Sequence, residues 1–120
     1  MTLSALLGFA AIAAADDLQK EVVEVPAWGG AVTVRELTVK ERLDFASFAV
    51  DSASETPAWL VATAALAPDG GPLCADKAAG MAVLAGKGKT VAMLSEVILR
   101  LSGFVSASTV DDDQDAAAKN

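Results

Sequence analysis

Few residues in this chain are of a type and spacing that could do chemistry. They are the run "GKGKT" (Gly86 to Thr90), a set of aspartates near the C-terminus, a single cysteine, the carboxylates Glu36, Glu41 and Asp44, and two tryptophans. The run contains the Gly-Lys-Thr of a phosphate loop. The full motif needs a second glycine where Val83 stands, and it must follow a buried strand, whereas a helical pattern precedes it here. It therefore reads as a turn between helices. Asp111, Asp112, Asp113 and Asp115 offer oxygen ligands to a divalent cation, but no glycine bend or downstream glutamate matches a calcium loop, so they read as a solvated tail. Cys74 lies beside a turn, and the chain has no histidine to activate a thiol. Glu36, Glu41 and Asp44 are accounted for by a strand end, a helix cap and an exposed helix face. No spacing selects a catalytic carboxylate pair. The chain reads as a non-enzyme, with no cofactor and no metal.

Binding is the chemistry that remains. Trp28, in a turn, is either a partner anchor, since tryptophan is enriched at interface hot spots, or a lid folded over a small core. Trp59 reads more strongly as core. The residues favoured for partner contact are Trp28, Trp59, Leu94, Ile98 and Leu101. A net charge of −7 without clustered Lys and Arg argues against a nucleic-acid partner. The chain is 53% apolar, with alanine supplying much of that fraction, so the core should be thin and some apolar surface should be covered by another chain.

These residues must be positioned by local elements. "LSALLGFAAIAAA" (Leu3 to Ala15) resembles the hydrophobic part of a signal peptide. No Lys or Arg precedes it, and it is too short to cross a bilayer, so residues 1–15 read as an apolar helix for packing or self-association and no membrane is expected. "KEVVEV" and "AVTVRE", across the turn "PAWGG", predict a β-hairpin over 20–36. "TVKE" (Thr38 to Glu41) predicts a capping box. It opens a helix over 39–50 with a stripe of Val39, Leu43, Ala46 and Val50, broadened by Phe45 and Phe48. Thr56 as cap and Pro57 as first helical residue predict a helix over 57–67, apolar almost all round and so central or covered by a partner. "PDGGPL" is a turn. Asp76 caps a helix over 76–85, weakened by Gly80. The last helix, 90–102, carries Val91, Leu94, Ile98 and Leu101, with an outward Glu96–Arg100 pair and Gly103 as its stop. Residues 105–120 have the composition of a disordered acidic tail. The fold expected is α+β, mainly helical, with an N-terminal β-hairpin, one domain over 16–104, and flanking segments.

The segment "AADDLQKEVVEVPAWGGAVTVRELTVKERLDF" (Ala14 to Phe45) resembles the N-terminal part of the tail assembly chaperones of long-tailed bacteriophages. The shared pattern is an acidic "DD" lead, a "VEVP-x-WGG" strand and turn, then "V-x-V-REL-T-x-x-ER". "DGGPLCAD" and "LSEVILRLSGF" are similar to later family segments, so the resemblance covers about residues 14–104. The apolar extension Met1 to Ala13 and the aspartate-rich tail depart from the pattern. The resemblance implies a non-catalytic assembly factor of the host bacterial cytoplasm, absent from the finished virion. Its implied partners are the tape measure protein, which it keeps soluble, and the tail tube protein, whose polymerisation it promotes, together with further copies of itself. "AKN" (Ala118 to Asn120) can be encoded as GCA AAA AAC, which ends in a slippery heptamer, and family members often occur as a short form and a frameshifted longer form. The alternative reading is another small tail structural, adaptor or completion protein.

Overall fold

The computed structural model describes residues 5–104. In chain order these form α1 (Phe9–Ala14), β1 (Lys20–Val25), β2 (Gly30–Arg35), α2 (Val39–Asp51), α3 (Thr56–Ala64), β3 (Ala65–Leu66), α4 (Lys77–Ala85) and α5 (Lys89–Leu101). The architecture is α+β and mainly helical, as the residue patterns predict. The acidic stretch 105–120, with its candidate cation ligands and the terminal "AKN", lies outside the described residues.

The hairpin follows from alternation and one glycine. β1 and β2 are antiparallel, from Lys20 opposite Arg35 to Val25 opposite Gly30. Pro26–Trp28 makes a single 3-10 turn between them, closed by Gly29 at φ 80°, a left-handed conformation that costs glycine nothing. Val34 is fully buried, while the two edges of the hairpin differ in what they meet. β2 takes a third strand on its other side: Thr33 pairs with Leu66 and Val34 with Ala65.

That third strand overturns part of the expected third helix, whose pattern runs through residue 67 but which ends at Ala64. The unpaired edge of β2 captures the next two residues as β3. Leu73 N–H donates to the Ala65 carbonyl at 2.9 Å, and Leu66 bridges Pro72 around a turn with Gly70 at φ 91°. Extended pairing satisfies backbone groups there that continued helix would have left against the sheet edge. The start of α3 also differs from expectation. Thr56 does not cap it; its hydroxyl donates to the Ala53 carbonyl at 2.9 Å, and Glu55 occupies the cap position without a side-chain bond.

α3 is the centre of the molecule. Ala58, Trp59, Leu60, Val61, Ala62 and Ala64 are all buried, packed between the sheet and α4 and α5. The all-round apolar character of this helix is thus explained by its central place. α5 packs Val91, Leu94 and Ile98 against it and ends in a glycine cap: Gly103 has φ 88°, and Phe104 N–H donates to the Leu99 carbonyl at 2.8 Å. Ser102 is buried at this end; its hydroxyl donates to the Ile98 carbonyl at 2.6 Å and accepts from Leu37 N–H at 2.8 Å. The C-terminal helix is thereby tied to the hairpin exit. Arg100 pairs with Glu21 of β1 at 3.0 Å rather than with Glu96, because the helix lies across that strand and offers a partner from outside the helix. The "GKGK" segment is the turn between α4 and α5, with Gly86 and Gly88 as the two caps.

Candidate partner-binding surface

The polar centre of the described structure is built from "REL-T-x-x-E". Thr38 Oγ1 accepts from Glu41 N–H at 3.2 Å, and Glu41 Oε1 accepts from Thr38 N–H at 2.9 Å, completing the capping box. Arg35, at the end of β2, donates to both carboxylate oxygens of Glu41, at 2.7 and 3.0 Å. It also donates to the Glu36 carbonyl at 2.9 Å and to the Thr63 carbonyl, near the end of α3, at 3.2 Å. One guanidinium therefore joins the hairpin, the cap of α2 and the end of the central helix. Burial alone would raise the Glu41 carboxyl, but the bonds from Arg35 and Thr38, with the charge of Arg35, hold it below the ordinary glutamate value. This arrangement is a brace: the carboxylate is saturated by donors and is aimed at no cavity.

The brace sets the roll of α2. With Glu41 turned inward, Phe45 and Phe48 follow on the same face at helical spacing and pack on Trp59, Phe45 tilted and Phe48 stacked, with ring centroids 5.6 and 5.8 Å from it. Phe104 closes the cluster edge-on to Phe45 at 5.9 Å, and Arg42 lies over the Phe104 ring at 5.0 Å. Lys77 Nζ sits 3.7 Å above the Trp59 ring. Burial there pushes the Lys77 ammonium below its ordinary value, with Glu41 and Asp44 partly opposing the shift.

At 3.6 residues per turn, Val39, Leu43, Ala46 and Val50 lie half a turn from Glu41, Phe45 and Phe48. They face outward. Val39 is 77% exposed, Leu43 69% and Val50 82%, and Ala46 is exposed beside them. The stripe that periodicity picks out is thus the solvent face of α2. Phe45 and Phe48, read as its fringe, are the residues that pack inward. A shallow pocket of about 290 Å³ lies on this outer face, lined by Val39, Arg42, Leu43, Ala46 and Phe104. An aligned apolar row on a helix, with a pocket along it, marks an interaction surface more strongly than scattered exposed residues do.

The residues favoured from sequence fall on both sides of the surface. Trp59, Leu94 and Ile98 are core residues, 6%, 0% and 0% exposed, so their side chains hold the fold and are not presented outward. Trp28 and Leu101 are half-buried and pack against that core. Sequence does not mark the α2 row as a surface, because both faces of the helix are apolar and periodicity cannot say which one turns in. The inward-pointing cap glutamate was the available signal. α1 is a second exposed apolar element: Phe9 and Ile12 are open to solvent, as are Leu6 and Leu7 before it, and no residue of the helix is buried. It is shorter than the helix expected over 1–15: among the described residues it begins only after Gly8. Cys74 is half-buried against the core. Among the described residues no three His, Cys, Asp or Glu side chains are grouped as a metal site, and no helix is long and apolar enough to cross a membrane.

No family model matches this sequence, and no curated protein does. Among solved structures, the fold is similar to that of the bacteriophage HK97 tail assembly chaperone. The TM-score is 0.60 at 18% identity, over 81% of this chain and 95% of that one. The two chains share a fold across nearly the whole of the phage protein.

Proposed function

We propose that this chain, built on the fold of a phage tail assembly chaperone, is itself such a chaperone. In this reading it binds the tape measure protein, keeps that protein soluble and promotes polymerisation of tail tube protein around it. It acts in the host bacterial cytoplasm and is absent from the mature virion; a longer, frameshifted form is part of the same proposal. The observation that carries the reading is the fold likeness over 95% of the HK97 chaperone. The hairpin and capping motif of Val25 to Phe45 supports it independently. So does the outward apolar row of α2, because a long helical client with an apolar face needs such a row to lie against. A net charge of −7 would keep the complex soluble.

Co-expression with a tape measure protein from the same genome tests the proposal. The expected outcome is a soluble complex recovered on either partner's tag. A tape measure protein that remains insoluble, with no complex recovered, would overturn the reading.

A further inference from the structure

Of helices α2 to α5, α4 has the weakest hold on the rest of the fold. Only Leu84 of its nine residues is buried; Gly80 and Met81 are half-buried, and the other six are exposed. By contrast, α3 buries six residues and α5 four. α2 buries none completely, but the bonds from Arg35 to Glu41 and the packing of Phe45 and Phe48 on Trp59 fasten it. Among the described residues no hydrogen bond or ion pair joins α4 to another element. What reaches across is Lys77, whose Nζ sits 3.7 Å above the Trp59 ring.

The seam beneath α4 is incompletely filled. Two crevices, of about 310 and 240 Å³, lie between it and the start of α3. Short side chains line the larger one, Ala58 from α3 and Ala78, Ala82 and Ala85 from α4. Such a seam forgoes dispersion contacts that close packing would supply. A nine-residue helix with an internal glycine is also marginal by itself, so α4 depends on this seam for its order. Both of its ends can turn. Upstream, Leu73 N–H is held by the Ala65 carbonyl at 2.9 Å, and residues 74–76 lead from there into the helix. Downstream, Gly86 and Gly88 flank Lys87 before α5 begins. A few residues at the ends of an element, able to absorb a change of backbone angle, make a hinge.

We infer that α4 is a lid that opens from α3 as a unit while the remainder of the fold stays closed. An element with so few buried apolar contacts lies at the low end of local stability. Opening uncovers Ala58, Trp59 and Ala62, an apolar strip of the central helix that is buried in the closed molecule. The α2 row is exposed at all times, whereas this strip is presented only when the lid lifts. The inference rests on packing and not on the chaperone reading, so either can fail alone.

Hydrogen exchange of the full chain, read by mass spectrometry, tests it. The helix-bonded amides of residues 81–85 are expected to exchange roughly 100-fold faster than those in the middle of α5, after correction for intrinsic rates. A lock then tests the cause. A Cβ at position 80 would lie 3.8 Å from the Ala62 Cβ, inside the disulfide range of about 3.5–4.5 Å. One chain therefore carries Ala62→Cys, Gly80→Cys and Cys74→Gly, the last of which clears the native side chain from the site. Oxidation should slow exchange in α4 about tenfold or more relative to the reduced form of the same chain, and leave α5 unchanged. Gly80→Ala is the second variant, for the case in which the triple variant does not fold or its thiols do not pair. Its methyl group would meet Cys74 Sγ at 2.5 Å, so exchange in α4 should quicken while that in α5 holds. Exchange in α4 as slow as in α5 overturns the inference. So does an oxidised lock, or Gly80→Ala, that leaves exchange in α4 as it was.

Discussion

Glu41 is the residue on which the most local structure converges. It completes the cap of α2, receives Arg35 through both oxygens and fixes which side of α2 faces inward. Replacing it by Gln should lower stability by about 2–3 kcal/mol, the scale of charge-assisted bonds lost from a largely buried pair. Its carboxyl titrates below the ordinary glutamate value when folded. The unfolded chain therefore takes up that proton first as pH falls, and this contribution is complete above the ordinary glutamate range and lost as pH drops through and below it. Thermal melts of the parent and Glu41→Gln should converge in acid and diverge at neutral pH; parallel curves would remove the brace. Gly80 has a different necessity. A methyl group placed there would lie 2.5 Å from Cys74 Sγ and 2.7 Å from its Cβ. Gly80→Ala should thus cost about 1–3 kcal/mol by overpacking, despite the better helix propensity of alanine. Adding Cys74→Ala, which removes the Sγ and keeps the Cβ, should recover part of that loss in the same melts, and no recovery would show that the contact with the Sγ is not the cause.

At the scale of elements, α2 and α3 are opposites that composition does not separate. Both are rich in apolar residues. α3 buries nearly all of its own because the sheet, α4 and α5 surround it. α2 has one wall only, the aromatic cluster around Trp59, so its second apolar face stays in solvent. The hairpin connection shows the same dependence on surroundings. Trp28 closes the turn and packs half-buried against the core. Trp28→Ala should cost about 2 kcal/mol, roughly half the loss for a fully buried tryptophan. If recovery of the tape measure complex is unchanged in this variant, the ring acts as a lid. A folded variant that no longer recovers the complex would make the ring a contact residue.

For the whole molecule, small side chains leave the core concentrated in α3 and its neighbours, and apolar side chains stand outside it over residues 6–12 and on the α2 row, with Val22, Leu73, Val83 and Met93 exposed elsewhere. That distribution suits a protein whose work is association. If the chain binds its client as proposed, the α2 row is the surface at stake: Val39→Gln, Leu43→Gln and Val50→Gln together should leave the melt of the parent unchanged, because all three positions are exposed, and should abolish recovery of the tape measure complex. A variant that still captured the tape measure protein would move the client site elsewhere.

Much of this was legible in the residues themselves. The hairpin, the capping box at Thr38 and Glu41, the Asp76 cap and the Gly103 stop depend on side chains within a few positions of the backbone groups they satisfy, so local sequence determines them. The period of α5 likewise shows its buried side, because only one face of it is apolar. Tertiary structure decided the rest. Period alone is silent on which of two apolar faces turns inward, and on α2 the Arg35–Glu41 brace made that choice. Where α3 stops was decided by the open edge of β2, and the partner of Arg100 by the strand beneath α5. Each of these is a contact between residues far apart in the chain, formed only once the elements have met, and together they set which apolar residues became core and which were left for another molecule.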